Sequence, residues 1–229
     1  MFYSFSISFL FLSSFYYYNK NFKNFDDLSS CFFKKILYYL DFKCDLIDIR
    51  ELPSKLIIIG SHTSIYDFFI GTIFYYAYLH EKYDTYVLMK KQFEKICNPL
   101  LYFFDSRFKL ISVDKTNKND ENKTSVTKQI CNTLLNKDNY IIFIAPEGTR
   151  KCTDKLRSGY WYISKELDTD ILYLGIDFLK KEIVMEHFRK PKDTWEEEQE
   201  EFIKSCKKYI PLYPERCFWI KDYYHYRYK

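Results

Sequence analysis

The sequence carries little net charge for its length. Its 229 residues include 35 Lys and Arg against 31 Asp and Glu, which leaves a formal charge of +4 at pH 7. Nucleic-acid-binding domains usually concentrate far more positive charge on one face, so this balance argues against a nucleic-acid partner. The charge is compatible with weak attraction to anionic lipid or to an anionic substrate.

Paired cysteines are also missing. The 7 Cys are odd in number, scattered along the chain, and form no Cys-x-x-Cys pair. This pattern argues against a disulfide framework or a zinc site and favours reduced thiols. We therefore expect no zinc site, and thiols that face a reducing compartment.

Long uncharged runs are absent beyond the N-terminal segment, which excludes a polytopic membrane protein. Residues 2–18 carry no charge, and no basic residue precedes Lys20, which argues against an ordinary signal peptide. We predict an N-terminal hydrophobic helix that spans a membrane or lies at its interface, with an aromatic helix packed on the domain as the alternative. The 23 Tyr and 22 Phe do not decide between these, since an A+T-rich coding bias also produces them.

Strand and helix patterns alternate along the rest of the chain. Apolar runs typical of buried strands occupy 56–60, 84–90, 109–113, 140–146 and 170–177. Helical spacing is found at 28–42, 65–79, 93–104, a segment ending near 135, 156–167, and 195–208, the last as a solvated surface helix. This alternation predicts an α/β fold with a mixed, largely parallel sheet flanked by helices. We predict one domain at 46–229 after a membrane-associating segment at 1–45.

The first motif is GSHTSIYDFF, in which four residues separate His62 from Asp67. His62 lies in the turn after a predicted strand, and Asp67 lies in the first turn of the next helix. A carboxylate at Nδ1 would fix the tautomer of the imidazole and leave Nε2 to accept a proton. The alternative is structural, because Ser64 and Asp67 also form a capping-box pattern. A His and an Asp at this spacing also occur by chance, so the spacing alone does not distinguish a catalytic pair from a helix cap.

The second motif is APEGTRK at 145–151, directly after the most apolar strand pattern. Gly148 permits a tight turn, and Arg150 offers a fork of donors suited to phosphate. Glu147 could position these cations or contact an acceptor hydroxyl. The alternative is a surface turn with a local Glu–Arg pair, which would contribute little.

Together the two motifs resemble the glycerolipid acyltransferase family, whose type members are 1-acylglycerol-3-phosphate acyltransferases. The resemblance runs from about Lys55 to Asp177, and SHTSIYDFFIG is especially similar to a compact bacterial-type branch. Two positions depart from the family's pattern. Lys115 in KLISVDK stands where the family usually has Arg, and Asp170-Ile171 stand where it has a Pro before a strand.

The resemblance implies a glycerol-3-phosphate acyltransferase-like domain that works at a membrane surface, on the reducing, cytoplasmic side, without a metal or a bound cofactor. Its co-substrate would be acyl-CoA or acyl-carrier protein, and its acceptor a lysophosphatidate-like glycerolipid. His62 and Asp67 would form the catalytic dyad. The residues that it implies for the acceptor's phosphate are Glu147, Gly148, Thr149, Arg150 and Lys115.

Two alternatives stay open at this point. The Lys at position 115 keeps the charge but loses the bidentate fork, which favours another lysolipid or an alcohol as acceptor. The missing Pro favours a membrane-bound lipid-binding protein that keeps the fold without catalysis.

Overall fold

The computed structural model describes residues 25–90, 108–113, 125–153, 155–217 and 219. Three predictions lie outside these residues: the hydrophobic segment at 2–18, the helix at 93–104, and the position of Lys115. In the described part, no helix is both long and apolar enough to cross a membrane.

One mixed sheet forms the centre of the molecule. Its strands are β1 Lys43–Asp45, β2 Lys55–Ile59, β3 Asp84–Lys90, β4 Phe108–Val113, β5 Tyr140–Ile144, β6 Asp170–Asp177 and β7 Glu182–Met185. Their order across the sheet is β1-β7-β6-β2-β5-β3-β4. Strands β2 to β6 run parallel, β7 is antiparallel to β6, and β1 is parallel to β7. The predicted α/β fold with a mixed, largely parallel sheet is confirmed.

Helices cover both faces of this sheet. The α-helices are α1 Phe25–Tyr39, α2 Ile65–Tyr78, α3 Val126–Leu134, α4 Gly159–Glu166 and α5 Trp195–Cys206, and the 3₁₀ helices are Ile49–Glu51 and Pro214–Arg216. Residues of α1 and α2 pack in the core on one face, and residues of α3, α4 and α5 pack in the core on the other.

Strand β2 shows why the apolar run is continuous rather than alternating. Leu56 and Ile58 belong to the core beneath α1 and α2, whereas Ile57 and Ile59 belong to the core beneath α3, α4 and α5. Since both faces of a covered parallel strand are buried, every position is apolar.

The division of the chain at residue 45 stays a prediction.

Strands β1 and β7 were not predicted from the sequence. β1 has three residues, and Lys43 and Asp45 are exposed, so no apolar run marks it. β7 follows β6 through a tight turn, in which Asp177 Oδ1 accepts the backbone N–H groups of Leu179 and Lys180 at 2.9 and 2.8 Å. In the sequence this turn is marked by one Asp side chain and not by a cluster of Gly or Pro, so it was not predicted.

The helix predicted at 195–208 is present as α5, but the prediction of a solvated face was wrong at one position. Glu198 is fully buried, and so is Phe202 one turn later. Burial of this carboxylate is possible because Arg189 lies against it with two N–H donors. The sequence, with five Glu residues between 196 and 201, did not show which one would turn inward.

Candidate active site

The two sequence motifs meet at one edge of the sheet. β2 and β5 are neighbouring parallel strands, and Ile59 at the end of β2 lies opposite Ile144 at the end of β5. The loops that follow them therefore leave the sheet side by side, at the carboxyl edge where α/β proteins usually bind ligands.

Gly60 brings the first loop close against the sheet. A Cβ atom at this position would lie 2.8 Å from the carbonyl oxygen of Leu174 in β6. Only glycine fits this approach without a backbone shift. The turn from Ser61 to Ser64 therefore begins at a position fixed by β6 as well as by β2.

Asp67 organises the turn that carries His62. Its Oδ2 accepts the backbone N–H groups of Thr63 and Ser64, each at 2.7 Å. Ser64 is the N-cap of α2, and together with Asp67 it forms a complete capping box. The structural interpretation of the motif is therefore present in the fold, and it leaves the carboxylate 8% exposed and fixed in place.

The same carboxylate oxygen lies next to the imidazole of His62. Its distance to Nδ1 is 3.4 Å, which is long for a charge-assisted hydrogen bond, and the imidazole is 28% exposed. Such contacts often shorten when substrate binds. With Nδ1 towards the carboxylate, Nε2 is the nitrogen left to accept a proton. Capping and orientation by Asp67 are thus compatible.

Glu147 connects the second motif to the first. Its Oε1 accepts the backbone N–H of His62 at 3.2 Å, and the side chain is 6% exposed. Burial raises the pKa of this carboxyl group, although backbone N–H groups and the Ser61 hydroxyl stabilise its ionised form. Within the described residues, Oε2 is buried and has no hydrogen-bond partner.

Gly148 turns the loop after Glu147. It has φ of +60°, in the left-handed region, and its N–H donates to the carbonyl of Ala145 at 3.0 Å. A Cβ atom here would lie 2.4 Å from Nε of Arg157, so the arginine side chain crosses directly over the glycine. Arg150 follows on the exposed side of this turn.

The geometry and the sequence motifs agree with a comparison against known families. The family model described as Acyltransferase matches residues 44–172, which is more than half of the chain. The chain belongs to the acyltransferase family. This is the family of the glycerolipid acyltransferases, and membership supports acyl transfer in general. Comparisons with curated proteins and with solved structures gave no significant match.

The predicted site residues of this acyltransferase domain are brought together only in part. His62, Asp67 and Glu147 are linked through the backbone of one turn, and Gly148 adjoins them. The Thr149 hydroxyl accepts the N–H of Lys151 at 3.2 Å and caps the loop locally. In the described ranges, no ion pair joins Glu147 to Arg150, so the second motif is not a simple surface pair. The roles assigned to these residues stay predictions.

Three further residues lie at the site without having been predicted. Arg157 crosses Gly148, Arg216 donates through Nη1 to the carbonyl of Thr63 at 2.6 Å, and Cys217 Sγ lies 3.8 Å from the Ser61 hydroxyl. Nothing in the sequence signalled that residues 216 and 217 return to a turn more than 150 residues earlier.

The cysteine beside the site is not suited to nucleophilic attack. Burial raises the pKa of Cys217 to about 12, so its thiol stays protonated at neutral pH. Within the described residues, no group of three His, Cys, Asp or Glu side chains could hold a metal ion. The expectation that the reaction needs neither a metal nor a bound cofactor stays a prediction.

Proposed function

We propose that this protein transfers a fatty acyl group from an acyl thioester to a hydroxyl group of a lysophosphatidate-like glycerolipid. The thioester would be acyl-CoA or acyl-carrier protein. The observation that carries the proposal is the turn at 61–64, where one carboxylate orients the His62 imidazole and a second, from the other motif, holds the His62 backbone.

In this reaction Nε2 of His62 removes the proton from the acceptor hydroxyl as its oxygen attacks the thioester carbonyl. The tetrahedral intermediate then expels the thiolate, which takes the proton back from the imidazolium and leaves as a thiol. Asp67 stabilises the imidazolium in between. General-base help of this kind contributes roughly 10²–10⁴ in rate, and no covalent enzyme intermediate is needed.

The acceptor's phosphate would bind beside the second motif. Arg150 is exposed there and offers parallel N–H donors that match a phosphate, with Thr149 and the Gly148 backbone next to it. Lys115 would assist. Burial raises the pKa of Glu147, so its carboxyl group ionises less readily than that of an ordinary glutamate.

We propose that the protein acts at the cytoplasmic surface of a membrane. Large apolar side chains are exposed at the end of α1 and in the first turns of α2, directly after the His62 turn: Tyr38, Tyr39, Leu40, Ile65, Tyr66 and Phe69. Tyrosine rings at a lipid interface bury their apolar body and keep the hydroxyl wet. The described cysteines are all free thiols, as a reducing compartment would keep them.

The test is release of free thiol from acyl-CoA in the presence of purified protein and a panel of lysolipid and alcohol acceptors. His62→Ala should lower kcat by roughly 10²–10⁴, because it removes the general base. His187→Ala is the matched control, since His187 is exposed in the loop after β7 and should keep wild-type turnover. Equal turnover in wild type and His62→Ala would exclude the mechanism, and preference for an uncharged alcohol would exclude the phosphorylated acceptor.

A further inference from the structure

A C-terminal segment outside the family match returns to the catalytic turn. The 3₁₀ helix Pro214–Arg216 follows α5, whereas the match ends at residue 172. Arg216 Nη1 donates to the carbonyl oxygen of Thr63, the residue after His62, at 2.6 Å. The next residue, Cys217, is buried against Ser61 on the other side of His62. The segment therefore contacts the turn on both sides of the proposed base.

The contact with Thr63 fixes a particular peptide unit. The carbonyl of Thr63 and the N–H of Ser64 belong to the same planar trans peptide, so they point in opposite directions. The N–H donates to Asp67 at 2.7 Å, and the carbonyl accepts from Arg216. A peptide held from both sides cannot rotate about its neighbouring bonds without losing one of these hydrogen bonds.

Arg216 is itself held by a ring and not by a carboxylate. Its guanidinium carbon lies 4.1 Å from the ring centroid of Tyr213, a cation–π arrangement. Among the described residues, no salt bridge pairs Arg216 with an acidic side chain. Its ordered interactions are thus the ring beneath it and the carbonyl of the catalytic turn.

We propose that Arg216 is a positioning residue that holds the His62 turn in the geometry in which Asp67 orients the imidazole. The proposal rests on the proposed function for its effect on turnover. Without Arg216, the peptide between Thr63 and Ser64 keeps one anchor, and the imidazole loses part of its alignment with Asp67. Small displacements of a catalytic group lower kcat strongly, whereas the affinity for substrates is unaffected.

Steady-state kinetics of Arg216→Met, Arg216→Lys and Arg216→Ala test this in acyl-CoA assays. We expect Arg216→Met to lower kcat by about 10–100-fold with KM for both substrates within about twofold, and Arg216→Lys to restore part of the rate. Methylguanidine in the buffer should raise the rate of Arg216→Ala. Arg50→Met is the matched control, because Arg50 lies on the exposed 3₁₀ helix Ile49–Glu51 and should keep wild-type kinetics.

A spectroscopic readout separates this proposal from the proposed function. The chain has 4 His, and ¹⁵N-labelled histidine reports which ring nitrogen carries the proton. We expect the His62 signal to show the Nδ1–H tautomer in wild type and in Arg50→Met, and to shift towards a tautomer mixture in Arg216→Met. If the tautomer shifts in Arg216→Met while the wild-type protein turns over no acceptor, Arg216 positions the turn but the proposed acyl transfer is excluded.

The opposite results overturn the positioning role. Turnover in wild type with unchanged kcat and unchanged His62 signals in Arg216→Met would show that the turn does not need this contact. A rise in KM for the phosphorylated acceptor at constant kcat would show that Arg216 contacts the substrate instead. Tyr213→Leu is a second variant, and it should change kcat in the same direction as Arg216→Met but less.

Discussion

Two buried glutamates in this molecule have opposite surroundings. Glu198 in α5 is fully buried, and its two oxygens accept hydrogen bonds from Arg189 at 2.8 and 2.9 Å, from Tyr160 at 3.2 Å, and from the N–H of Lys192 at 3.0 Å. Glu147 at the candidate site is nearly as buried. Its Oε1 accepts the backbone N–H of His62, the Ser61 hydroxyl also stabilises the carboxyl group, and Oε2 has no hydrogen-bond partner in the described part of the chain.

The difference separates a carboxylate whose hydrogen bonds are satisfied by the fold from one at the proposed site whose hydrogen bonds are not. A buried charge is tolerated when an opposite charge and enough donors surround it, as they surround Glu198. Glu147 lacks such a partner, and burial raises its pKa accordingly. Each prediction below removes or weakens one side of this comparison.

The largest effect on stability is expected at the structural carboxylate. Glu198→Ala leaves Arg189 without its partner inside the protein, which typically lowers the free energy of unfolding by about 3–5 kcal/mol. Glu200→Ala, on the exposed side of the same helix, should change it by less than about 0.5 kcal/mol. Urea denaturation of both variants measures the difference. A loss below about 1 kcal/mol for Glu198→Ala would mean that water replaces the carboxylate.

At Glu147, the carboxylate of the proposed site, the effect of substitution should appear in turnover first. Glu147→Ala removes the acceptor for the His62 N–H and should lower kcat by about 10–100-fold through misplacement of the turn. The accompanying loss of stability should be smaller than for Glu198→Ala, because the substitution leaves no opposite charge buried without its partner. Glu147→Gln keeps a carbonyl oxygen and serves as the isosteric control. A larger loss of stability than for Glu198→Ala would reverse the comparison.

The pH dependence of stability should distinguish Glu147 by its sign. Its pKa is raised above the ordinary value of 4.5, so the folded protein binds this proton more tightly than the unfolded chain does. Its contribution to stability is therefore complete below pH 4.5 and is lost as the pH rises through the folded-state pKa. Unfolding free energies of wild type and Glu147→Gln, measured from pH 4 upwards, should diverge in favour of Glu147→Gln. A difference that is constant with pH would contradict the raised pKa.

The sequence predicted the central part of the fold because each element there has its own local signal. Strands β2 and β5 are continuous apolar runs, and α2 begins with a capping box that is readable in the letters SIYD. β1 and β7 have three and four residues, and β7 pairs with β6 while β1 pairs with β7, so their formation is decided by tertiary contacts rather than by local pattern.

The candidate site divides in the same way. His62, Asp67 and Glu147 each lie within a motif, and the parallel pairing of β2 with β5 brings the motifs together. Arg216 has no motif, because its partner is a backbone carbonyl, which any residue at position 63 would supply. A contact between a lone side chain and a distant peptide group leaves no periodicity or spacing to detect.

The smallest effect should come from a single donor of the structural network. Tyr160→Phe removes the hydroxyl that donates to Glu198 Oε1 but keeps the buried ring and the Arg189 pair. Because the other donors remain, we expect a loss of about 1 kcal/mol in unfolding free energy. Tyr162→Phe, with an exposed ring on the same helix, is the control. Turnover should be unchanged in both variants. If Tyr160→Phe lowered kcat without lowering stability, the hydrogen-bond network of Glu198 would be coupled to the candidate site. The two glutamates could then no longer be treated as separate.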